Sequence, residues 1–267
     1  MSAIARLLFL AALSIPCCIV HSSNMRRIVG GAMVPENEQV PYQVSLQFQT
    51  KRGIRHYCGG SIIAPNRILT AAHCCKDMNV TLITVLAGVR NLDDRHGFRS
   101  KALKCAAHPD YQMLVTSDIA VLSIDPPLKY NSLTIAPISV IGKEFVPGNV
   151  SVTITGWGRM FPIPLNFIQS LTIPNTMRRI NYHTITNKKC YEMGKTRVTD
   201  TEICAHGLFK GVCSGDSGGP LVMKSSKGLH QVGIVSYGWI ICGLSIAPDV
   251  YTRVSTFSDW IQEQLKK

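Results

Sequence analysis

Short apolar runs separated by turn-forming residues cover most of this chain, and they constrain its fold more than any other feature. Runs rich in Val, Ile, Leu and Thr alternate with Gly, Pro, Asn and Asp, for example in segments 42–48, 61–70, 149–155 and 229–236. Such runs are typical of β-strands. Many short strands at fairly regular intervals predict an all-β barrel or sandwich, and a chain of this size is compatible with one domain.

The C-terminus has a different periodicity. Apolar residues recur there at the spacing of one helical face: Val254, Phe257, Trp260, Ile261 and Leu265. This spacing predicts a C-terminal α-helix, with Ser255 or Thr256 available to cap its first turn. It is the one helix that the pattern indicates clearly.

The first residues are typical of a secretory signal peptide. Arg6 supplies a positive charge before the apolar run 7–20, which is short for a bilayer span, and Ser22 and Ser23 are small enough for cleavage nearby. We assign residues 1–23 to the signal and expect a secreted, extracellular protein. A retained N-terminal anchor is the alternative. No later run has a comparable apolar length, so no membrane anchor is expected.

Cysteine usage agrees with export. Cys17 and Cys18 lie in the predicted signal, and eight cysteines follow it: Cys58, Cys74, Cys75, Cys105, Cys190, Cys204, Cys213 and Cys242. An even number in an exported chain predicts disulfides. The cluster from His73 to Cys75 lacks a second closely spaced ligand pair, so we predict no zinc site.

Charge and sequons add weaker constraints. The formal net charge is +12, with scattered basic residues and no basic block beside aromatic residues, so nucleic-acid binding is not predicted. A basic exported protein can adhere to acidic glycans, or its charge can simply favour solubility. Asn79 and Asn149 lie in N-glycosylation sequons.

The segment from Gly215 to Pro220, Gly-Asp-Ser-Gly-Gly-Pro, contains a candidate nucleophile in Ser217. Flanking glycines let backbone N–H groups approach a substrate carbonyl, although a tight turn between strands has similar composition. In α/β-hydrolases an acid and then a histidine follow the serine, whereas here His230 is the last histidine and precedes the later acids. The order His73, Asp118, Ser217 instead matches the chymotrypsin arrangement.

From residue 28 onward the chain resembles the trypsin/chymotrypsin family of serine proteases. The matching motifs are Ile28-Val29-Gly30-Gly31, Thr70-Ala71-Ala72-His73-Cys74, Asp118-Ile119-Ala120, Gly156-Trp157-Gly158, the Ser217 segment, Ser236-Tyr237-Gly238 and Pro248-Asp249-Val250-Tyr251. The resemblance implies two six-stranded antiparallel β-barrels with a C-terminal α-helix and an active site between the barrels. It assigns residues 28–267 to a serine protease domain.

The resemblance also implies catalytic roles. Ser217 attacks the scissile carbonyl, His73 accepts its proton and passes it to the leaving amine, and Asp118 orients His73. The N–H groups of Gly215 and Ser217 form the oxyanion hole. Such an enzyme needs no cofactor. Its expected partners are protein or peptide substrates, an activating protease and protein inhibitors, and it is expected to be a monomer.

Activation is implied by the residues before the domain. Residues 24–27 form a short propeptide, and cleavage between Arg27 and Ile28 frees an ammonium that pairs with Asp216. The resemblance further implies the disulfides Cys58–Cys74, Cys190–Cys204 and Cys213–Cys242. Cys75 and Cys105 depart from the common pattern, and we expect a fourth bridge between them, with two free buried thiols as the alternative.

Primary specificity is left open between two substrate classes. The position that selects Arg or Lys when it is aspartate is Gly211 here, followed by Val212, which leaves an apolar base suited to a large ring. Asp249 replaces the usual glycine of the pocket wall, so it can receive a basic side chain or be satisfied internally. The combination of Gly211 and Asp249 resembles that of chymotrypsin-like members from arthropods, and this resemblance implies cleavage after Phe, Tyr or Leu.

Three further residues belong to the expected substrate cleft: Ser236, Tyr237 and Gly238, the glycine keeping the pocket entrance open. Calcium is not predicted, because the stretch 89–99 offers mainly Asp93 and Asp94 among basic and apolar residues. An alternative function is a cationic binding protein on a protease scaffold. Such proteins usually lose a triad residue, and none is lost here.

Overall fold

The computed structural model of this protein consists mainly of short β-strands arranged in two barrels. The structure describes residues 31–51, 53–113, 116–159, 175–195, 197–208, 210–238 and 247–267. The predicted signal, the propeptide, Ile28 and Cys242 therefore lie outside the described residues. No helix in these ranges is both long and apolar enough to span a bilayer.

The N-terminal half forms a closed barrel. After the short strand β1 (Ala32–Met33), its strands are β2 (Gln43–Thr50), β3 (Gly53–Ala64), β4 (Arg67–Thr70), β5 (Ile83–Ala87), β6 (Phe98–Ala107) and β7 (Ala120–Asp125). They close in the order β2-β3-β4-β7-β6-β5. The predicted single run 61–70 is broken into the end of β3 and β4, because Pro65 and Asn66 form a turn between them.

The C-terminal half forms the second barrel. Its strands, with the short β8, are β8 (Ser139–Val140), β9 (Ser151–Gly156), β10 (Arg178–Ile185), β11 (Glu202–His206), β12 (Pro220–Ser225), β13 (Gly228–Tyr237) and β14 (Asp249–Arg253). The order β10-β11-β14-β13-β12-β9 closes through the pairing of β9 with β10, while β1 and β8 add to β10 and β13. The predicted pair of six-stranded antiparallel barrels is confirmed.

The described ranges contain the α-helices α1 (Asn187–Gly194), which contacts β11, and α2 (Ser258–Lys266), whose Trp260 and Gln264 contact His108 and Arg67 of the first barrel. The predicted C-terminal helix is confirmed, but it opens with a 3₁₀ turn, Val254–Phe257, and neither Ser255 nor Thr256 caps it. Thr256 instead donates to the carbonyl of Asp200. The helix α1 was not predicted; Thr186 caps it by accepting from the N–H of Lys189.

Each barrel interior is filled by inward-facing apolar side chains. Val44, Leu46, Ile68 and Leu122 are fully buried in the first barrel. In the second barrel, buried apolar side chains of β9, β12, β13 and β14 form the core, and they belong to the same hydrophobic cluster. The alternating burial of β10, with Ile180 and Tyr182 inside and their neighbours outside, shows the period of two that places alternate side chains in the core. The loops between strands are thereby held on a rigid base.

Disulfides join Cys58 to Cys74, Cys75 to Cys105 and Cys190 to Cys204. The pair Cys75–Cys105 is therefore a bridge and not two free thiols. Cys213 is also disulfide-bonded, and its expected partner Cys242 lies outside the described residues. Cys74 and Cys75 follow His73 directly, so two bridges tie the histidine segment to β3 and β6.

We expect the bridge between Cys75 and Cys105 to contribute strongly to stability. Replacing both cysteines with alanine opens a loop with a sequence separation of 30. The chain-entropy estimate for a loop of this size is a loss of about 3–4 kcal/mol in the free energy of unfolding. Denaturant unfolding measures this loss. The matched double variant at Cys190 and Cys204, with separation 14, should lose slightly less. An unchanged midpoint for the first variant would contradict the expectation.

Candidate active site

His73 and Asp118 meet at the junction of the two barrels. His73 lies in the 3₁₀ turn Ala72–Cys74 after β4, and Asp118 lies just before β7, which pairs with β4. The Nδ1 atom of His73 is 2.7 Å from Oδ2 of Asp118, and the backbone N–H of His73 donates to Oδ1 at 3.0 Å. With its Nδ1 proton held by the carboxylate, the neutral imidazole presents Nε2 as a base.

The second barrel completes the surroundings of Asp118. The hydroxyl of Ser236 donates to Oδ2 at 2.6 Å, and that of Thr252 donates to the backbone carbonyl of Asp118 at 2.7 Å. Burial raises the pKa of this carboxyl, but the hydrogen bonds and charge attraction from His73, together with the bond from Ser236, outweigh burial and keep the pKa below its usual value. Asp118 is therefore a carboxylate at neutral pH.

Ser217 is held between the barrels through its backbone. The N–H of Gly59 on β3 donates to the carbonyl of Ser217 at 2.7 Å, and the N–H of Gly218 donates to Val235 on β13 at 2.8 Å. Gly218 has a φ of 77°, and a Cβ there would lie 2.2 Å from Oγ1 of Thr70. A glycine is therefore required, and its approach brings Ser217 beside the segment that leads from Thr70 to His73.

Two backbone amides beside Ser217 are free to bind a ligand. In the described part of the chain, the N–H groups of Gly215 and Ser217 donate to no other group, whereas those of Asp216 and Gly219 form turn hydrogen bonds and that of Gly218 donates to Val235. Gly215 has a φ of 105°, a conformation that favours glycine. A pair of unsatisfied donors next to a serine hydroxyl is the arrangement that stabilises an oxyanion.

The carbonyl of Gly215 is held by a buried histidine that the sequence analysis did not identify. Nε2 of His56 lies 2.9 Å from this carbonyl, and Nδ1 lies 2.8 Å from the hydroxyl of Ser45. Burial lowers the pKa of His56 to about 4, against the opposing effect of the Gly215 carbonyl, so the ring is neutral at physiological pH. Its single proton is therefore on Nε2, and Ser45 donates to Nδ1.

Asp216 turns its carboxylate into the protein. It is 2% exposed and accepts from the N–H of Gly158 at 2.8 Å and from the N–H of Cys213 at 3.0 Å. Burial raises its pKa to about 6, although both amides lower it. A Cβ on Gly156 or Gly158 would lie within 2.3 Å of a carboxylate oxygen, so both positions require glycine.

Asp249 is the first residue of β14 and is buried. Its Oδ2 accepts from the backbone N–H of Val212 at 3.1 Å and from the hydroxyl of Tyr182 at 2.9 Å. A Cβ on Gly238 would lie 2.8 Å from Oδ1 of Asp249 and 3.7 Å from a methyl group of Val212. The structure thus brings together Val212, Gly238 and Asp249 among the expected substrate-binding residues.

The other expected cleft residues have distinct environments. Ser236 ends near Asp118, as described above, while the hydroxyl of Tyr237 donates to Glu202 on β11 at 2.9 Å. Gly211 is buried next to Val212. No sequence pattern points to Tyr182, because a tyrosine inside a strand is an ordinary core residue until the fold places it against a buried acid.

The structure places the sequon and loop residues at the surface. Asn79 and Asn149 are exposed, and Asn79 accepts from the N–H of Thr81. In the loop 89–99, the carboxylates of Asp93 and Asp94 accept hydrogen bonds from Asn175 and His96. The candidate metal cluster that the described ranges contain is Cys58, His73 and Cys74, but both thiols form a disulfide and are unavailable as thiolate ligands.

Comparison with known proteins agrees with this geometry. The sequence model of the family described as Trypsin matches residues 28–261. The chain is 35% identical over 241 residues to Chymotrypsin-2 of Vespa crabro, covering 88% of this chain and 99% of that protein. It is 34% identical over 245 residues to Hypodermin-B of Hypoderma lineatum, covering 90% and 88% respectively. Trypsin zeta of Drosophila erecta is 33% identical over 249 residues, covering 88% and 84%.

The packing of Asp216 makes a prediction for Gly158. In Gly158→Ala the new methyl would lie 2.1 Å from a carboxylate oxygen, so the carboxylate must move and lose its bond to the amide of residue 158. Overpacking of this kind costs about 1–3 kcal/mol, and the lost hydrogen bond adds to it. Denaturant unfolding measures the loss. Gly142→Ala is the matched control, because a Cβ there meets nothing within 4 Å. Equal stability of the two variants would contradict the argument.

Proposed function

Since the chain belongs to the trypsin family and is therefore a serine-type endopeptidase acting on protein substrates, we propose that His73, Asp118 and Ser217 form its catalytic triad. The observation that carries this proposal is the double contact of Asp118 with the backbone and Nδ1 of His73. Support also comes from the anchoring of Ser217 between Gly59 and the strand β13. These are the contacts that hold a base and a nucleophile from different barrels in fixed positions.

In the proposed mechanism, the hydroxyl of Ser217 attacks the scissile carbonyl carbon while Nε2 of His73 accepts its proton. The imidazolium that forms is stabilised by the carboxylate of Asp118, whose lowered pKa keeps it ionised. His73 then donates the proton to the leaving amine, which gives an acyl-enzyme. Water attacks this ester with His73 again as base, and His73 then returns the proton to the oxygen of Ser217 as the carboxylic acid product leaves.

The amides of Gly215 and Ser217 would bind the oxyanion of each tetrahedral intermediate. Their freedom from other acceptors in the described residues supports this role. His56 supports it indirectly, because its neutral ring donates to the carbonyl of Gly215 and so fixes the peptide unit between Gly215 and Asp216, which lies between the two oxyanion amides. Losing one such donor typically reduces the rate on the order of 10²–10³-fold.

We further propose synthesis as a zymogen that is activated by an external protease at the bond between Arg27 and Ile28. The buried carboxyl of Asp216 supports this, because two amides are its hydrogen-bond donors and burial still raises its pKa to about 6. An ammonium beside it would favour the charged form and order the loop that carries Ser217. Residues 1–23 would direct secretion and residues 24–27 would form the propeptide.

For primary specificity, we propose cleavage after large apolar residues. Gly211 and Val212 bring no charge to the base of the expected pocket, and Gly238 brings no side chain to its wall, where Oδ1 of Asp249 lies instead. Burial raises the pKa of Asp249 to about 7, while its bonds to Val212 and Tyr182 act in the opposite direction. The carboxyl is therefore neutral in slightly acidic solution.

We also propose that the protein is a secreted monomer regulated by protein inhibitors. Glycans at Asn79 and Asn149 are a further prediction.

A cationic binding protein without turnover is the competing function, and the two are separated by Ser217→Ala. Removing the nucleophile should lower kcat on the order of 10⁶-fold, as triad replacements do in other serine proteases. Peptide hydrolysis after cleavage at Arg27 measures this effect. Ser226→Ala is the matched control, since Ser226 is exposed in the turn between β12 and β13. Retained hydrolysis in Ser217→Ala would contradict the triad.

The substrate preference has its own test. The protein cleaved after Arg27 should hydrolyse peptides with Phe, Tyr or Leu before the scissile bond with higher kcat/KM than Arg or Lys peptides, measured at pH 6. Uncleaved Arg27→Gln protein is the control and should be nearly inactive. Preference for Arg by more than about tenfold, or roughly 1.4 kcal/mol of transition-state binding, would contradict an apolar pocket.

A further inference from the structure

The two oxygens of Asp249 have different environments. Both hydrogen bonds that Asp249 accepts from the described residues go to Oδ2, one from Val212 and one from Tyr182. Oδ1 accepts none of them, and it lies directly against Gly238, where a Cβ would be only 2.8 Å away. A side chain at position 238 would displace this oxygen, so the glycine is what allows Oδ1 to line the expected substrate cleft.

Tyr182 holds its position rigidly. It lies on β10, which pairs with both β9 and β11, and its side chain is 1% exposed. Its ring packs against Gly207, where a Cβ would lie 2.8 Å from the ring edge. Because the ring is closely packed, its hydroxyl is held in one position, where it donates to Oδ2 of Asp249.

The carboxyl of Asp249 has no cationic partner in the described part of the chain. The ionisable groups that face it are the hydroxyls of Tyr182 and Tyr251, from β10 and β14, and the carboxyl of Asp216 from the loop before β12. Asp216 and burial both oppose its ionisation, while the donors Val212 and Tyr182 favour it. A cation brought by a substrate would therefore meet an uncompensated acid.

We propose that Tyr182 is a positioning residue for primary specificity, which fixes Oδ2 of Asp249 so that Oδ1 receives the cation of a substrate Arg or Lys whenever the carboxyl is ionised. The protonated carboxyl leaves a pocket that takes Phe, Tyr or Leu, as in the function proposed above, on which this inference rests. The enzyme then has two substrate classes, and pH sets the balance between them.

The sign of the pH effect follows from the raised pKa. With a pKa of about 7, Asp249 is mostly protonated at pH 6 and mostly ionised at pH 8.5. Arg and Phe substrates use the same triad, so the ionisation of His73 and Asp118 cancels in the ratio of their kcat/KM values. Arg itself stays charged throughout this range. The ratio therefore reports on the pocket alone.

The experiment measures kcat/KM for matched Arg and Phe peptides between pH 6 and 8.5, with the protein cleaved after Arg27 and its active sites titrated with a sulfonyl fluoride. The Arg-to-Phe ratio should rise at least about tenfold over this range, because the ionised fraction of the carboxyl rises about tenfold for a pKa near 7, and any loss of Phe cleavage by the ionised form adds to this rise. A ratio that is flat with pH in the unsubstituted protein overturns the proposal without any variant.

Tyr182→Phe tests the positioning role. Loss of the hydroxyl removes a donor that favours the charged carboxyl, so the midpoint of the ratio should move upward by about one pH unit, the order expected for a hydrogen bond to a charged group. Tyr42→Phe is the matched control, because Tyr42 is a buried tyrosine in a separate cluster with Ile138 and Val222. A Tyr182→Phe profile identical to that of Tyr42→Phe overturns the proposal.

Asp249→Asn gives an independent readout that keeps the shape of the side chain. It should abolish the pH dependence of the ratio and most Arg cleavage, while Phe cleavage persists. A pH-dependent ratio in Asp249→Asn assigns the titration to another group and overturns the proposal. Cleavage of Phe peptides with a flat, low ratio in all proteins rejects this inference but not the proposed protease, whereas absence of any cleavage rejects the proposed function.

Discussion

The burial of the Asp216 carboxylate is the constraint on which the geometry of the site depends. A carboxylate removed from water must be hydrogen-bonded, and here the donors are the backbone amides of Gly158 and Cys213. These bonds join the end of the β9 strand to the loop that carries Ser217. The glycines at 156 and 158 follow from the same requirement, because side chains there would occupy the space of the carboxylate. A single buried acid thus joins two chain segments and constrains the path of both.

The second constraint is the close contact between the barrels. Gly218 lies so near Thr70 and the backbone of Gly59 that no side chain fits at that position. Thr252 and Ser236 of the second barrel bond to Asp118 of the first. The triad residues are therefore fixed by contacts from both barrels, and a relative displacement of the barrels would break several hydrogen bonds together. This cooperativity provides the preorganisation that a nucleophile and its base need.

Asp216 and Asp249 are two buried acids in the second barrel, and they respond to different partners. The charge of Asp216 opposes the ionisation of Asp249. Asp216 faces the glycines of β9 and is fully enclosed, so its environment changes when a partner inside the protein changes. Asp249 keeps one oxygen beside Gly238, so its environment changes with the substrate. Because the repulsion between them raises the pKa of Asp249, any cation placed at Asp216 also bears on the pocket.

Much of this protein could be predicted from its sequence. Short runs rich in Val, Ile, Leu and Thr indicated strands, and apolar residues at helical spacing indicated the terminal helix. The ordered motifs around His73, Asp118 and Ser217 identified the family and its two barrels. The residues that sequence reasoning missed are those whose role arises from contacts distant in the chain. Ser45 and His56 look like strand residues until β2 pairs with β3 and places His56 beneath Gly215.

Local sequence determined the strands, the terminal helix and the chemical identity of the reacting groups, because backbone preference and side-chain chemistry are local properties. The tertiary structure alone decided that Cys75 pairs with Cys105, that the terminal helix begins without a hydroxyl cap, and that Tyr182 bonds to Asp249. These outcomes depend on distances between residues far apart in the chain. Burial, and with it the protonation of a carboxyl, exists only when the barrels have closed around it.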